Sequence, residues 1–481
     1  MSDNDMPLPN TTANIPVNAA AASRLTPELV RLVFAYLAAA AAWLLFGTSV
    51  GEYLGIKFVS PEVDSIAWLS FGRLRPVHTN AVFWGWGSLA ALGLAIYIVP
   101  RTSQRQLYSI RNAWISFWIL NVAALIGVIT LMMGINNSGQ EYREFVWPVM
   151  ALYASGVILM FHNLYMTIAR RATEDIYISN WYIMAAIAWT IIVIIIGYLP
   201  FYTQDGISQT VIQGYYMHMG VGMWFTPLAL GVTYYVLPAL LNKPIYSYSL
   251  GVLAFWTQMV FYTLIGSHHF VFSPIPWWLQ TIGIVFSFGM VITLAAGTGN
   301  FLMTMRGSGR TIRRSYSLPF ILVGVLSYFI FSIQGSLEAL RSLNEVWHFT
   351  NFTVAHSHQT MYGFVAFLLW GGIYGLLPRL TSRAPNRAAV GVHFWFALVG
   401  MVVYTVPLMI GGTLQGLSWI EGNAFMESVI LMAPHWIWRA IGGSMMLLSH
   451  FVFIYNMWAM RPVRSEQKAV AKAAALSEAA A

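Results

Sequence analysis

The stretch Phe352-Thr353-Val354-Ala355-His356-Ser357-His358 opens an apolar, helix-length run that continues to Leu377. Such a run reads as a membrane-embedded helix, and on an α-helix residues two apart point about 200° from each other. The imidazoles of His356 and His358 therefore face opposite flanks of one helix. Ionisable groups inside a membrane are costly and default to function, and neutral imidazole is a common ligand for haem iron and copper. One helix is thus expected to hold a separate metal centre on each side.

Working outward, the chain has 481 residues, 58% apolar and only 9% charged, which excludes a soluble domain of this length. Apolar stretches of ~20 residues, each able to cross a ~30 Å hydrocarbon layer, begin near Val30, Val77, Ala113, Val146, Trp181, Ile212, Leu250, Trp278, Leu318, Phe352, Val390 and Leu431. The expected fold is an all-α polytopic bundle of about twelve transmembrane helices. Sorting the 25 Lys and Arg by the resulting loops leaves Lys57, Arg73, Arg75, Arg143, Arg341 and Arg439 on one side and the other 19 opposite. The positive-inside bias makes the larger set, and both termini, cytoplasmic. The net charge of +8 is this asymmetry and calls for no nucleic-acid partner.

Residues 1–27 read as a polar cytoplasmic tail without a signal-peptide layout, 28–462 as one membrane domain, and 463–481 as an Ala-rich cytoplasmic tail. No fixed-period repeat is visible. The chain has no cysteine, which rules out disulfides, thiolate metal sites and a covalently attached c-type haem. Any haem is held by histidine.

With the spans placed, His78, His218, His268, His269, His356 and His358 all fall in the outer half of the membrane. An electron-transfer haem needs two axial ligands from different helices, and His78 with His358 or His356 can supply them. The remaining histidine of the pair is free to bind a second haem. His218, His268 and His269 are then three imidazoles for a non-haem metal, a set that suits copper or iron. Taken singly, His162, His393 and His450 read as hydrogen-bonding partners for neighbouring helices, and His348 and His435 as loop groups that are solvated or touch haem edges.

Other polar groups crowd the same layer. Arg73, Arg75 and Arg439 need anions there, and haem propionates are the anions this arrangement would bring; simple snorkelling is the alternative. Arg75 precedes His78 by three residues. Glu141 and Glu144 either bind a divalent cation or pair with Arg143. Tyr262, six residues before His268, is placed to give a proton and an electron during cleavage of a bound diatomic molecule, or is a core tyrosine satisfied by a carbonyl.

These residues resemble subunit I of the haem-copper oxidases, and specifically the C-family, the cbb3-type cytochrome c oxidases. The likeness runs from about Leu74 to Asn456: Arg-x-x-His-Thr at Arg75 to Thr79, His-x-x-Val-Gly at His218 to Gly222, Gly-x-His-His at Gly266 to His269, Thr-Val-x-His-x-His at Thr353 to His358, and Phe425 to Val429 followed by Arg439 to Gly443. The resemblance implies His78 and His358 on a low-spin haem b, His356 on a high-spin haem b, and His218, His268 and His269 on copper. It implies Tyr262 as the catalytic tyrosine that this family joins to a copper-ligating histidine, here His218. Arg75 and Arg439 would meet haem propionates, and Glu144 matches a carboxylate near a calcium ion. It further implies membrane-anchored c-type cytochrome partners, O2 as substrate, a bacterial inner membrane and proton translocation.

Two departures stand out. Gln334, in Ile333-Gln334-Gly335, occupies a position where the family usually has glutamate, so a group implicated in proton handling carries no charge. Leu250 to Phe261 offers only Thr257 and Gln258 as polar groups below Tyr262. Tyr234, Tyr248, Thr257 and Gln258 are the expected proton route. Two rivals remain: a nitric oxide reductase with non-haem iron, whose extra carboxylate is expected where this chain has Gly222, and a non-catalytic haem-binding or transport protein on the same scaffold.

Overall fold

The computed structural model describes residues 25–137, 140–198 and 206–463. The two tails expected from the sequence lie almost wholly outside the described residues. Within them 12 helices are long and apolar enough to cross a membrane. In chain order they are α1 (Pro27–Val59), α2 (Phe71–Thr102), α3 (Ile110–Met132), α4 (Trp147–Ala169), α5 (Ile178–Tyr198), α6 (Gly206–Leu241), α7 (Tyr248–Phe270), α8 (Trp277–Met305), α9 (Leu318–Glu338), α10 (Asn351–Thr381), α11 (Arg387–Ile420) and α12 (Phe425–Ala459). The chain is a multi-pass membrane protein.

Local chemistry sets where the helices start. Thr26, Ser109, Ser247 and Asn386 each accept a hydrogen bond from a backbone N–H three residues on, and so cap α1, α3, α7 and α11. Two of these starts are built alike. Asn163 of α4 clasps the backbone of Ser109 while Thr167 accepts from the Tyr108 N–H. Asn300 of α8 does the same to Ser247, and Thr304 to Tyr246.

A deeper repetition lies in α2, α6 and α10. Their most apolar windows are 94%, 89% and 89% buried, against 33–50% for the other helices, so these three form the centre of the bundle. Each bears a ligand candidate, His78, His218 or His358, and then winds into a π-helical segment: Ala81–Gly87, Gly220–Phe225 and Gln359–Ala366. Each segment is followed by a proline near the helix end, Pro100, Pro238 and Pro378. A π segment carries an extra residue per turn, and so re-aims the side chains beyond it; such segments gather at functional sites. No repeat is visible in the sequence because the copies share geometry and a handful of residues, not a continuous pattern.

Between like apolar surfaces in lipid, helix association depends on close packing and hydrogen bonds. Trp84, Trp224 and Trp370, one on each central helix, are buried. The Trp224 indole donates to Ser88 at 2.8 Å, tying α6 to α2, and Tyr153 of α4 donates to the Trp84 carbonyl at 2.9 Å. The outer helices turn Trp118, Leu125, Ile195, Val285 and Phe451 outward, where lipid or other apolar surface would meet them.

Candidate metal centres

His78 leaves α2 and His358 leaves α10 toward each other. Their rings are nearly parallel, 12° apart, with centroids 6.3 Å apart. His78 Nδ1 lies 2.7 Å from the Gly47 carbonyl and His358 Nδ1 lies 2.8 Å from the Val354 carbonyl. A carbonyl oxygen only accepts, so both Nδ1 atoms carry the proton and both Nε2 atoms are bare. The gap suits a metal ion with two nitrogen bonds of ~2 Å, and bis-imidazole ligation suits an electron-transfer haem. A Cβ on Gly51 would sit 2.5 Å from the His78 ring, so only glycine lets α1 approach this ligand. Arg439 stands at the same end, 4.5 Å from the Phe58 ring, with its Nε buried and without a hydrogen-bond partner. That is a donor available to an anion such as a propionate.

His356 points to the other flank, as its spacing from His358 requires. Its Nδ1 lies 3.2 Å from Gln334 Oε1 of α9 in a hydrogen bond. Glu338 Oε1 is also 3.2 Å away but out of line, an ion-pair distance without a hydrogen bond. Position 334 carries no carboxylate, as the sequence reads, but Glu338, one helical turn beyond Gln334, brings one to the same ring. Its place four residues on, on the same face of one helix, is the signal the sequence offers.

The third group forms where α6 meets the 3-10 turn ending α7. His218 Nδ1 is 2.6 Å from His269 Nε2, and the ring centroids of His218, His268 and His269 lie 4.5–4.8 Å apart. Among the described residues these three form the one group of three or more histidine, aspartate or glutamate side chains close enough to share an ion, their ligand atoms within 4.8 Å of one another. His218 Nε2 is buried with no hydrogen-bond partner, and the Tyr262 ring stacks on His218 at 5.0 Å and 21°. A Cβ on Gly222 would sit 1.5 Å from Tyr262 Cε1. The phenol occupies the space that a side chain at 222 would need. Three neutral imidazoles without a carboxylate form a donor set that fits copper. The triad, Tyr262 and His356 all line one cavity of about 590 Å³, so a metal on the triad and a haem on His356 would share it.

The remaining candidates disperse around this cavity. Glu141 pairs with Arg75 at 3.0 Å, a partner that its neighbourhood in the sequence does not suggest. Arg73 donates to the Met132 carbonyl at 3.3 Å. Glu144 is buried, accepts from Asn80 at 2.9 Å and leaves Oε1 without a hydrogen-bond partner; burial raises its carboxyl to about 7. His348 stacks on Phe349 in the cavity wall, and burial lowers it to about 4. His393 and His450 bond to tyrosines of α10, Tyr374 and Tyr362, while exposed His162 meets the edge of Tyr108.

Of the expected proton route, Gln258 donates to the Gly222 carbonyl at 2.9 Å directly below Tyr262, and Tyr234 is buried. Thr257 turns aside to Thr293 of α8, and Tyr248 is exposed at the rim. Tyr328 of α9, which the sequence alone does not single out, is buried and lines the cavity.

Comparison with known proteins agrees with this geometry. The family described as Cytochrome C and Quinol oxidase polypeptide I matches residues 31–445. A cbb3-type cytochrome c oxidase subunit of Stutzerimonas stutzeri is 30% identical over 90% of this chain and 94% of its own. A cytochrome c oxidase subunit 1 homolog of Agrobacterium tumefaciens is 29% identical over 86% of this chain and 80% of its own. A nitric oxide reductase chain of Stutzerimonas stutzeri is more distant, 22% identical over 86% of this chain and 90% of its own. In fold, a cryo-EM structure of a heme-copper terminal oxidase dimer superposes with a TM-score of 0.77 at 15% identity, covering 91% of this chain and 85% of that one. With the family match spanning most of its length and a relative at 30% identity across 90% of it, the chain belongs to the catalytic subunits I of the haem-copper oxidases.

Proposed function

We propose that this chain is the catalytic subunit of a cbb3-type cytochrome c oxidase that reduces O2 to water in a bacterial plasma membrane. The observation that carries this reading is Tyr262 stacked on His218 in a space closed to any side chain at 222. A nitric oxide reductase needs its added carboxylate at that turn of α6, and the phenol fills the position instead. When bound, two b haems and a copper supply the electron transfer and the binding of both oxygen atoms. His78 and His358 would hold the low-spin haem, His356 the high-spin haem, and His218, His268 and His269 the copper.

The protein's own part is placement and protons. Tyr262 holds a hydroxyl proton at the cavity wall, beside Thr226, where O–O cleavage needs one. Gln258, Tyr234 and Tyr328 offer buried polar atoms between that hydroxyl and the basic end of the bundle, which positive-inside bias makes cytoplasmic. Electrons would enter at the opposite end from membrane-anchored c-type cytochrome subunits, because a chain without cysteine cannot attach that haem itself. Arg75 and Arg439 would meet haem propionates, and Glu144, with one oxygen unpartnered, would face a calcium ion. Proton translocation belongs to the same reading, with Glu338 as the ionisable group beside His356. Replacing Tyr262 by Phe should abolish O2 turnover with both haems retained. Retained turnover would remove Tyr262 from the mechanism, and non-haem iron in place of copper would favour the reductase.

A further inference from the structure

His268 reaches the metal triad from the last turn of α7, and its Nδ1 lies 2.6 Å from Ser287 Oγ on α8. Ser287 is fully buried, and the same hydroxyl lies 2.7 Å from the Gly283 carbonyl one turn back. With Nδ1 turned to Ser287, Nε2 is the only His268 nitrogen left for the triad. A ligating nitrogen must be bare, so in the metal-bound protein the imidazole proton sits on Nδ1. The serine then accepts from His268, and its own proton goes to the one remaining acceptor, the Gly283 carbonyl. Each step has a single solution, because a hydroxyl has one proton and a carbonyl has none.

We infer that Ser287 is a positioning residue for the copper site, fixing the His268 ring and tautomer so that Nε2 faces His218 and His269. This deepens the proposed function and depends on it. Ser287 is also tied to the other centre: Ser336 of α9 donates to the Ser287 carbonyl at 2.8 Å, and its neighbour Gly335 lies against the His356 ring. The hydroxyl that orients His268 thus belongs to a residue held against the helix that orients His356. His218 has no such partner on its buried Nε2, so the outer nitrogens of these two rings are held differently.

The test uses the purified oxidase complex carrying Ser287→Ala or Ser287→Thr. Metal analysis gives the copper-to-haem ratio. Infrared spectroscopy follows the C–O stretch of carbon monoxide photolysed from the high-spin haem onto the neighbouring metal. Loss of an outer hydrogen bond of this kind weakens metal binding by about 10–100-fold, so Ser287→Ala should lose copper on mild chelation and shift or broaden the metal–carbonyl band. Both haem spectra should be unchanged, and Ser287→Thr, which keeps the hydroxyl, should restore copper retention and the band. Full copper with an unchanged band in Ser287→Ala overturns the inference. The wild-type complex tests the reading beneath it separately: one copper per two b haems sustains that reading, and iron or no metal at the triad overturns it.

Discussion

Gly222→Ala tests the placement of the catalytic phenol most directly. The added Cβ would lie 1.5 Å from Tyr262 Cε1 and 2.1 Å from Cζ. Carbon atoms in contact sit ~3.5–4.0 Å apart, so the ring must retreat by roughly 2 Å or α6 must shift by as much. Overpacking of this size costs about 1–3 kcal/mol, which a buried bundle survives. Catalysis is less forgiving, since a 1 Å misplacement can cost about 10²-fold in rate. O2 consumption by the purified complex with reduced c-type cytochrome should therefore fall by at least ~100-fold. Haem spectra should be unaltered, because neither His78, His356 nor His358 touches this position. Turnover within a factor of a few of wild type, with metals intact, would show that Tyr262 does not need the place it occupies.

Gly51→Ala would put a Cβ 2.5 Å from the His78 ring, so the low-spin haem bands should weaken or vanish while the high-spin haem still binds carbon monoxide. Removing the groups on His356 Nδ1 one at a time should be mild, because Gln334 and Glu338 both stand 3.2 Å from it; Gln334→Leu with Glu338→Leu together should lower the iron–histidine stretch in the resonance Raman spectrum of the reduced high-spin haem. Glu144 has its carboxyl raised from 4.5 to about 7 by burial. The folded state then binds the extra proton between these values, so stability is highest below the lower one and falls as pH rises through the upper one, by about 3 kcal/mol at 1.36 kcal/mol per pKa unit. With divalent cations chelated, Glu144→Gln should flatten the pH dependence of thermal unfolding and be the more stable form above neutrality; with calcium bound, the ion holds the carboxylate charged and that advantage should vanish.

The parts of this molecule legible in sequence are those that depth and helical period encode. Counting apolar spans gives twelve helices, and the spacing of His356 and His358 gives two opposed flanks, because both follow from the fixed rise and turn of an α-helix. Pairings between segments are not legible. Glu141 reads beside its neighbour Arg143, yet it meets Arg75, since a loop of that kind folds back over the end of α2. Thr257 is a candidate for the proton route because it is polar, and its helix face turns it to Thr293 instead. Attention to Gln334 as a lost carboxylate hides Glu338, which the same helix carries one turn further along. The π segments of α2, α6 and α10 leave no mark in the sequence, because an extra residue in a turn has no composition of its own.

The opposed histidines of α10 have a mechanical corollary. Ligands leaving one rod in opposite directions cannot be adjusted independently: a roll of α10 about its axis carries one imidazole forward as it carries the other back. The electron-delivering centre and the oxygen-reducing centre are then geared through a single shaft. Anything gripping α10, including the Asn351–Gln415 hydrogen bond at its first turn, trims both at once, in opposite senses.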